Sequence, residues 1–517
     1  MLSTQKIRRA ARHISAWTLC SRILGAARTI LQIRYLGASA VSDGFITAYK
    51  IPNSLRKIFA EGALSGVFVP TIVRTIKQEG KETVNNLITF AFVVFEAVVV
   101  VLCALVMLFP EPVIHFIAPG FSGIQVRDTV SCVRILMPFI LLVSSSAVLA
   151  GALQAVGHFF IPAFAPVLLN IVYITALVIC NYYSLPVEVL CWFIMAGGVV
   201  QFLLHLFIYL RLGFSFGALR SADMKQFGHV IVKFIPCLIG MGAMEVGVIV
   251  DQYFASYLPQ GSTSLHEYAM RFMGIPLGVF ASALSTVLLP HFAHVATMER
   301  EKLSLYLLET TKLVLWALLP VTFLMAYFSH AIFVTTFLSE KFIMSDVMIA
   351  TQVLQAFVLG LFFFAINKML LNIFYALHRV WLPAYITIFA TGCNALLNWL
   401  LVSSWGVPGI ALATSASASI QTVLFYYVLT KYEKLAFDVR HMLLFLCRYS
   451  LQMGVICIPF IAIYHGCLYL IYQIGCSTVL CGTLLFWFWV GPLACLYVVA
   501  LWYTRRWFSI SLHFLDE

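Results

Sequence analysis

Residues 87 to 109 read LITFAFVVFEAVVVVLCALVMLF, and residues 479 to 503 read VLCGTLLFWFWVGPLACLYVVALWY. Each run exceeds the roughly 20 apolar residues that cross the hydrocarbon core of a bilayer. Inside that core every backbone N–H and C=O must be satisfied within the protein, which leaves helices as the element for runs of this length. A chain made of many such runs is expected to be an all-α polytopic membrane protein. The composition agrees. Hydrophobic residues make up 62% of 517 positions and charged residues only 10%, against about 25% charged in soluble domains, and the mean hydropathy is +0.97.

The net charge of +11 could point to nucleic acid, but its distribution points to a membrane. Basic residues fall in alternate connections: Lys6 to Arg12, Arg74 to Lys81, Arg211 to Lys225, Arg300 and Lys302, Arg379, Lys431 to Arg440, and Arg505 with Arg506. The intervening connections NYYSLPVE, LPQGSTSLHE, SSWGVPG and YQIGCST hold no Lys or Arg. That alternation is the positive-inside bias, and it puts both termini in the cytoplasm. Arg127 and Lys341 are mild exceptions. The amino terminus is basic without a short apolar core and small-residue cleavage site, so no cleaved signal peptide is expected. The 13 cysteines are scattered through apolar runs with no metal-ligand spacing, and read as packing residues.

Matching the apolar segments to this alternation predicts about 14 transmembrane helices. The connections 213–228 and 432–446 mix Phe, Leu and Met with basic residues and read as interfacial amphipathic helices. An internal echo organises the rest. ALSGVFVP at 63 to 70 returns as ALSTVLLP at 283 to 290, and FIPAF at 160 to 164 as WLPAY at 381 to 385. Two echoes at nearly one spacing predict two six-helix lobes, an arrangement in which transporters hold cargo at the repeat interface. The expected layout is a first lobe at 1–212, the linker at 213–228, a second lobe at 229–431, and two carboxy-terminal helices in 432–517.

Charges inside the apolar segments are the functional signal. An Arg or Lys at a helix centre costs about 2.5 to 3.5 kcal/mol on insertion scales, so a cluster of them has to face something other than lipid. In HISAWTLCSRILGAARTILQIRYLG, residues 13 to 37, Ser21, Arg22, Gly25, Arg28 and Thr29 share about one third of the circumference at 100° per residue. Arg34 points away and lies near enough to the helix end to snorkel. The next segment, KIPNSLRKIFAEG at 50 to 62, adds Arg56, with Lys57 and Glu61 spaced to neutralise each other. Pro52 is expected to break or kink this helix, and Pro276 does the same beside Arg271 and Ser264 in the second half. Guanidinium groups stay protonated and grip phosphate with two bonds, so an anion is the expected cargo. Acidic candidates are Asp43, expected to orient Lys50 or an arginine, and Glu245 and Asp251. His291 and His294 have no evident third ligand, so no metal site is expected from them.

The stretch SRILGAARTILQIRYLGASAVSDGFITAYKIPNSLRKIFAEGALSGVFVP (21 to 70) resembles the amino-terminal signature of the MurJ (MviN) family, lipid II flippases of the multidrug/oligosaccharidyl-lipid/polysaccharide exporter superfamily. GSTSLHEYAMRFMGIPLGVFASALSTVLLP (261 to 290) extends the resemblance into the second half. The resemblance implies movement of undecaprenyl-diphosphate-linked disaccharide-pentapeptide across the bacterial cytoplasmic membrane by alternating access, with no catalysed bond change. It assigns Arg22, Arg28, Arg56 and Arg271 to the diphosphate, with Ser21, Asp43 and Ser264 as polar companions, and makes the last two helices a lipid groove. Where many relatives carry an Asp-Arg pair followed by an acid, this chain has Met270 before Arg271 and Gly274 after it. Some relatives bind sodium, and Asp251, Asn394, Asn398 and Thr414 could supply the oxygens that hard cations prefer; Asn and Thr bonding between helices is the plainer reading. No cofactor is expected beyond Na+ or membrane-potential coupling. Lipid II, membrane lipids and the cell-wall synthesis machinery are the implied partners. A flippase for another lipid-linked oligosaccharide and a polytopic glycosyltransferase are the alternatives.

Overall fold

The computed structural model describes residues 4–58, 71–76, 78, 80–217, 242, 245–281, 284, 292, 300–377, 379, 381–473, 483 and 485–512. Among these residues the fold is helical, with no strand beyond one isolated bridge between Ser339 and Phe342. The chain divides into two compact units, Met1–Ser264 and Leu265–Glu517.

In the first unit, α1 (Thr4–Leu36) is followed by α2 (Ala40–Arg56), α3 (Lys81–Leu108), α4 (Pro110–Ile117), α5 (Ile124–Leu136), α6 (Phe139–Ala155), α7 (Phe160–Tyr182) and α8 (Val187–Arg211). Residues 245–255 are also helical. α1 packs along α7, α7 along α8, and α2 along α5. Between α3, α6 and α8 the core is Leu87, Ile88, Phe95, Leu149, Leu153 and Tyr209, all buried. Ser39 caps α2 by accepting from the Ser42 amide, the usual service of a hydroxyl to a helix's unbonded first turn.

Pro52 does not end α2. The helix continues to Arg56 and then widens, with residues 57 and 58 in π geometry and the Lys57 amide reaching both the Asn53 and Ser54 carbonyls. The same device follows Pro276, which closes α9 (Ser262–Pro276) and is succeeded by a π turn at Leu277–Ala281. A π turn redistributes the carbonyls that a proline leaves without a donor, and such turns concentrate at functional sites.

The second unit holds α10 (Arg300–Phe337), α11 (Met344–Leu359), α12 (Leu361–Ala376), α13 (Trp381–Lys431), α14 (Val439–Gln473) and α15 (Phe486–Thr504). The 51 residues of α13 would reach about 77 Å at 1.5 Å each, more than any bilayer. Gly406 breaks them with φ 58° and ψ −136°, and Pro408 follows, so α13 is two spans joined by a tight turn. α14 and α15 pack against α10 through Leu315, Phe328, Tyr449, Phe460, Val490 and Tyr497. Tyr449 donates to the Trp316 carbonyl at 2.6 Å, and Gln452 ties α14 to the Leu501 carbonyl of α15 at 2.7 Å. The opposite side of α14 exposes Leu451, Val455 and Ile458, as a lipid-facing helix does.

Among the described residues eight helices are long and apolar enough to cross a membrane, or nine when α11 and α12, bent by 41°, count as one span. The fold class expected from the apolar runs is therefore the one observed, without a settled count of 14. Two details differ from expectation or lie beyond view. Residues 432–438 are not an amphipathic helix: Lys434 sits at φ 56°, and Asp438 stops the coil by accepting from the His441 amide at 3.0 Å, which starts α14 at Val439. That amide, with the His441 ring, holds the Asp438 carboxyl below its usual range. Of the 213–228 linker, residues 218–228 lie outside the described residues, as do 63–70 and most of 283–290. The other echo is visible: Pro162 and Pro383 each occupy the first turn of a helix, α7 and α13, where proline removes no intrahelical bond.

One close approach yields a stability prediction. A Cβ on Gly120 would lie 2.2 Å from the Ser256 carbonyl oxygen and 2.7 Å from the Tyr257 amide nitrogen, backbone that has no rotamer to yield. Gly120→Ala is expected to destabilise the first unit by at least the ~1–3 kcal/mol of core overpacking. Gly454→Ala, where nothing lies within 4 Å, is expected to hold or raise the melting temperature through helix propensity. Thermal melting of the purified protein in detergent checks both; equal melting temperatures would contradict the close approach.

Candidate functional site

The arginines of α1 take different surroundings. Arg22 is exposed, and Arg34 is exposed in the last turn. Arg28 is half-buried against α7: its Nη1 donates to Asn170 Oδ1 at 3.1 Å, and its Cζ lies 4.9 Å from the centre of the Tyr173 ring. Asn170 passes the connection back to α1 by donating to the Ser21 carbonyl at 3.1 Å and the Ser21 hydroxyl at 3.2 Å. Tyr173 in turn donates to Gln32 Oε1 at 3.3 Å. Ser21, Arg28 and Gln32 thus form one polar stripe of α1, read against two side chains of α7. Burial of this stripe is tolerable because nearly every polar group has a partner; Arg28 Nε and Gln32 Nε2 are the buried exceptions.

On α2, Arg56 donates from both Nε and Nη2 to Asn53 Oδ1, at 3.1 and 3.0 Å. Lys57 bonds Glu245 at 3.0 Å, and Ser54 donates to the other oxygen of the same carboxylate at 2.7 Å. The expected partner Glu61 lies outside the described residues. A turn earlier, Lys50 donates to Gln252 Oε1 at 3.0 Å, and Gln252 donates to the Thr47 hydroxyl at 2.9 Å.

Asp43 does not orient Lys50 or an arginine. One of its oxygens accepts from the Ser264 amide at 2.8 Å and hydroxyl at 2.6 Å, and the other from the Gly261 amide at 2.7 Å and from Gln125 at 3.4 Å. The carboxylate sits at the start of α9, where helix amides point outward without partners and negative charge is favoured. Four donors account for a side chain that is only 2% exposed, so Asp43 and Ser264 are bonded to each other. These bonds, with those of Glu245 and Gln252, tie residues 245–264 to α2 within the first unit.

In the second unit Arg271 Nε donates to Glu267 Oε1 at 3.1 Å, one turn away on the same helix. The arginine thus has a carboxylate although Met270 and Gly274 are not acids. Asn394, Asn398 and Thr414 come together on the two halves of α13: Asn398 donates to Asn394, Asn394 to Thr414, and Thr414 to the Ile410 carbonyl. Asp251 lies in the first unit, buried. His291 and His294 lie outside the described residues. No cluster of three His, Cys, Asp or Glu suited to a metal occurs among the described residues.

Asn170 and Tyr173 went unnoticed in the sequence because they are uncharged, yet Asn170 is the one amide side chain in the long apolar run FIPAFAPVLLNIVYITALVIC. An isolated Asn at that depth marks a helix contact, and that signal was there to be read.

The comparisons with known proteins concern the whole of this arrangement. The family model for the lipid II flippase MurJ matches residues 33–475. A probable lipid II flippase MurJ of Buchnera aphidicola subsp. Acyrthosiphon pisum (strain APS) is 31% identical over 424 residues, covering 80% of this chain and 81% of that protein. The lipid II flippase MurJ of Burkholderia cenocepacia is 31% identical over 440 residues, covering 82% and 84%. Among solved structures, a lipid II flippase MurJ in an inward closed conformation superposes with a TM-score of 0.77 at 24% identity, covering 95% of this chain and 99% of that one. An inward-facing multidrug resistance MATE transporter of the MOP superfamily reaches 0.68 at 16% identity, covering 80% and 95%. Those two likenesses carry the fold, and the family rests on the sequence matches. A multi-pass helical membrane protein matched over most of its length by that family model, this chain belongs to the lipid II flippase MurJ family.

Proposed function

We propose that this chain moves lipid II, the undecaprenyl-diphosphate-linked peptidoglycan precursor, from the inner to the outer leaflet of the bacterial cytoplasmic membrane, with both termini cytoplasmic. Family membership supports the cargo, and the alternation of basic connections supports the orientation. The observation that carries the site is Arg28: a half-buried guanidinium of α1 held against the apolar helix α7, accompanied by an amide, a ring and no carboxylate among the bonds described. Such a group keeps its positive charge for a ligand. Arg22, exposed on α1, and Arg56 on α2 complete the proposed diphosphate site in the first unit, and Arg271 of the second unit is a further phosphate candidate by family resemblance alone. The sodium reading of Asp251, Asn394, Asn398 and Thr414 carries no part of the proposal, since the last three residues bond one another.

The proposed step is alternating access. The site opens to the inner leaflet, takes the anionic headgroup, closes, and reopens outward while the prenyl tail stays in lipid. No bond is made or broken. Carrying negative charge outward through an inside-negative potential is favoured by about 2.3 kcal/mol per charge per 100 mV, so the membrane potential is the proposed driving force.

Two outcomes are expected. In cells depleted of their own lipid II flippase, the wild-type chain restores growth, while Arg28→Ala and Arg56→Ala, present at the same membrane level, do not; growth with both variants would remove the diphosphate assignment. Collapsing the potential with an ionophore is expected to cut the appearance of lipid II in the outer leaflet about tenfold or more, since one charge at 100 mV exceeds the 1.4 kcal/mol of a tenfold change. An unchanged rate would sink the potential-driven step.

A further inference from the structure

Arg28 has five N–H donors arranged as forks, and a fork is what a phosphate oxygen pair accepts. One fork is the side edge, Nε with Nη2; the other lies at the tip and needs Nη1. In this fold one of the two N–H groups of Nη1 is given to Asn170 Oδ1, while Nε is buried and has no partner among the described residues. Asn170 cannot turn over to offer its nitrogen, because its Nδ2 is held by the carbonyl and the hydroxyl of Ser21. Tyr173 covers one face of the guanidinium at 4.9 Å, and its hydroxyl is anchored on Gln32. Asn170 and Tyr173 are themselves buried, so neither is a surface residue free to follow the arginine. The plate is therefore fixed at its tip and on one face, and the side edge carries an unused donor.

We propose that Asn170 is a positioning residue for Arg28, holding the tip of the guanidinium so that its Nε–Nη2 edge is the one a diphosphate oxygen pair takes, with Tyr173 fixing the plane. The inference rests on the proposed diphosphate role of Arg28. It explains two otherwise separate facts: a buried charged donor left without an acceptor, which folded proteins rarely tolerate, and a buried amide midway along an apolar helix. A phosphate oxygen on Nε removes the first deficit. Arg56 is arranged the opposite way, its side edge already spent on Asn53, so the two arginines are not interchangeable in how they meet a ligand.

The test uses purified full-length protein in detergent, with undecaprenyl diphosphate as the anionic probe and undecaprenol as its uncharged counterpart, and affinities read by native mass spectrometry. Asn170→Asp keeps the side-chain shape and the acceptor but pairs the guanidinium with a carboxylate, and Asn170→Leu removes the acceptor. Both are expected to weaken undecaprenyl diphosphate at least about tenfold, the loss of one charge-assisted bond, and to leave undecaprenol binding unchanged. A residue that only packs α7 against α1 would move both probes together, and that result overturns the inference. Arg28→Ala separates the two levels of argument. If it loses the diphosphate while both Asn170 variants bind as wild type does, the positioning role is wrong and the role of Arg28 stands; if Arg28→Ala itself binds as wild type does, the underlying reading falls. Should the Asn170 variants melt early, Tyr173→Leu carries the test, since it strips the ring from the guanidinium face and leaves Asn170 in place. It is expected to weaken the diphosphate probe selectively, and wild-type binding overturns the proposal.

Discussion

A positive charge placed between apolar helices has to be accompanied, and the first unit is arranged around that requirement. Arg28 is held by Asn170 and Tyr173 of α7, Lys57 by Glu245, and Lys50 by Gln252. Each of these bonds ties two segments together as it shields a charge. The price of putting arginine and lysine at membrane depth is thus offset by contacts that also fix helix positions, and α1 meets α7 along the same face that holds Ser21, Arg28 and Gln32. Arg28 and Lys57 differ in the charge of their companions. Lys57 faces a carboxylate, whereas Arg28 faces an amide and a ring, so its charge is solvated without being cancelled. That difference separates a residue that holds the fold from one suited to hold an anion.

Asp43 shows how the same logic closes a helix. Its carboxylate takes both amides and the hydroxyl at the start of α9, where the unbonded first turn and the helix dipole favour negative charge. The segment from Glu245 to Ser264 is thereby bound to α2 at its beginning, middle and end, through Glu245, Gln252 and Ser264. Prolines near both candidate arginine segments, Pro52 and Pro276, are followed by π turns instead of breaks. Wider turns leave carbonyls less strictly paired than α-turns do.

Much of this was legible in the residue order, and the reasons for the misses are physical. Apolar runs longer than a bilayer left no architecture but transmembrane helices, and a 100° helical period put Ser21 and Arg28 on one face before any coordinates. Long-range partners were not legible: Asn170 lies 142 positions from Arg28 and Glu245 188 from Lys57, and no local pattern couples such pairs. Spacing showed only Glu61 as a neighbour for Lys57, because i to i+4 pairs are the ones a sequence shows directly; Glu61 lies outside the described residues. Asp43 was read as a charge seeking a cation because two of its donors are backbone amides, which carry no side-chain signature, and the other two, Ser264 and Gln125, lie 221 and 82 positions away. The stretch 432–446 looked amphipathic by composition, but the Asp438 cap decides where its helix begins.

The account stands on guanidinium groups of the first unit meeting the phosphates of a lipid-linked headgroup. A structure of the protein with lipid II bound, resolved well enough to place the two phosphorus atoms, measures this most directly. The account predicts phosphate oxygens within hydrogen-bond distance of Nε and Nη2 of Arg28, with Asn170 still on Nη1. A diphosphate seated away from α1 and α2, with Arg28 unchanged in its contacts, would contradict it.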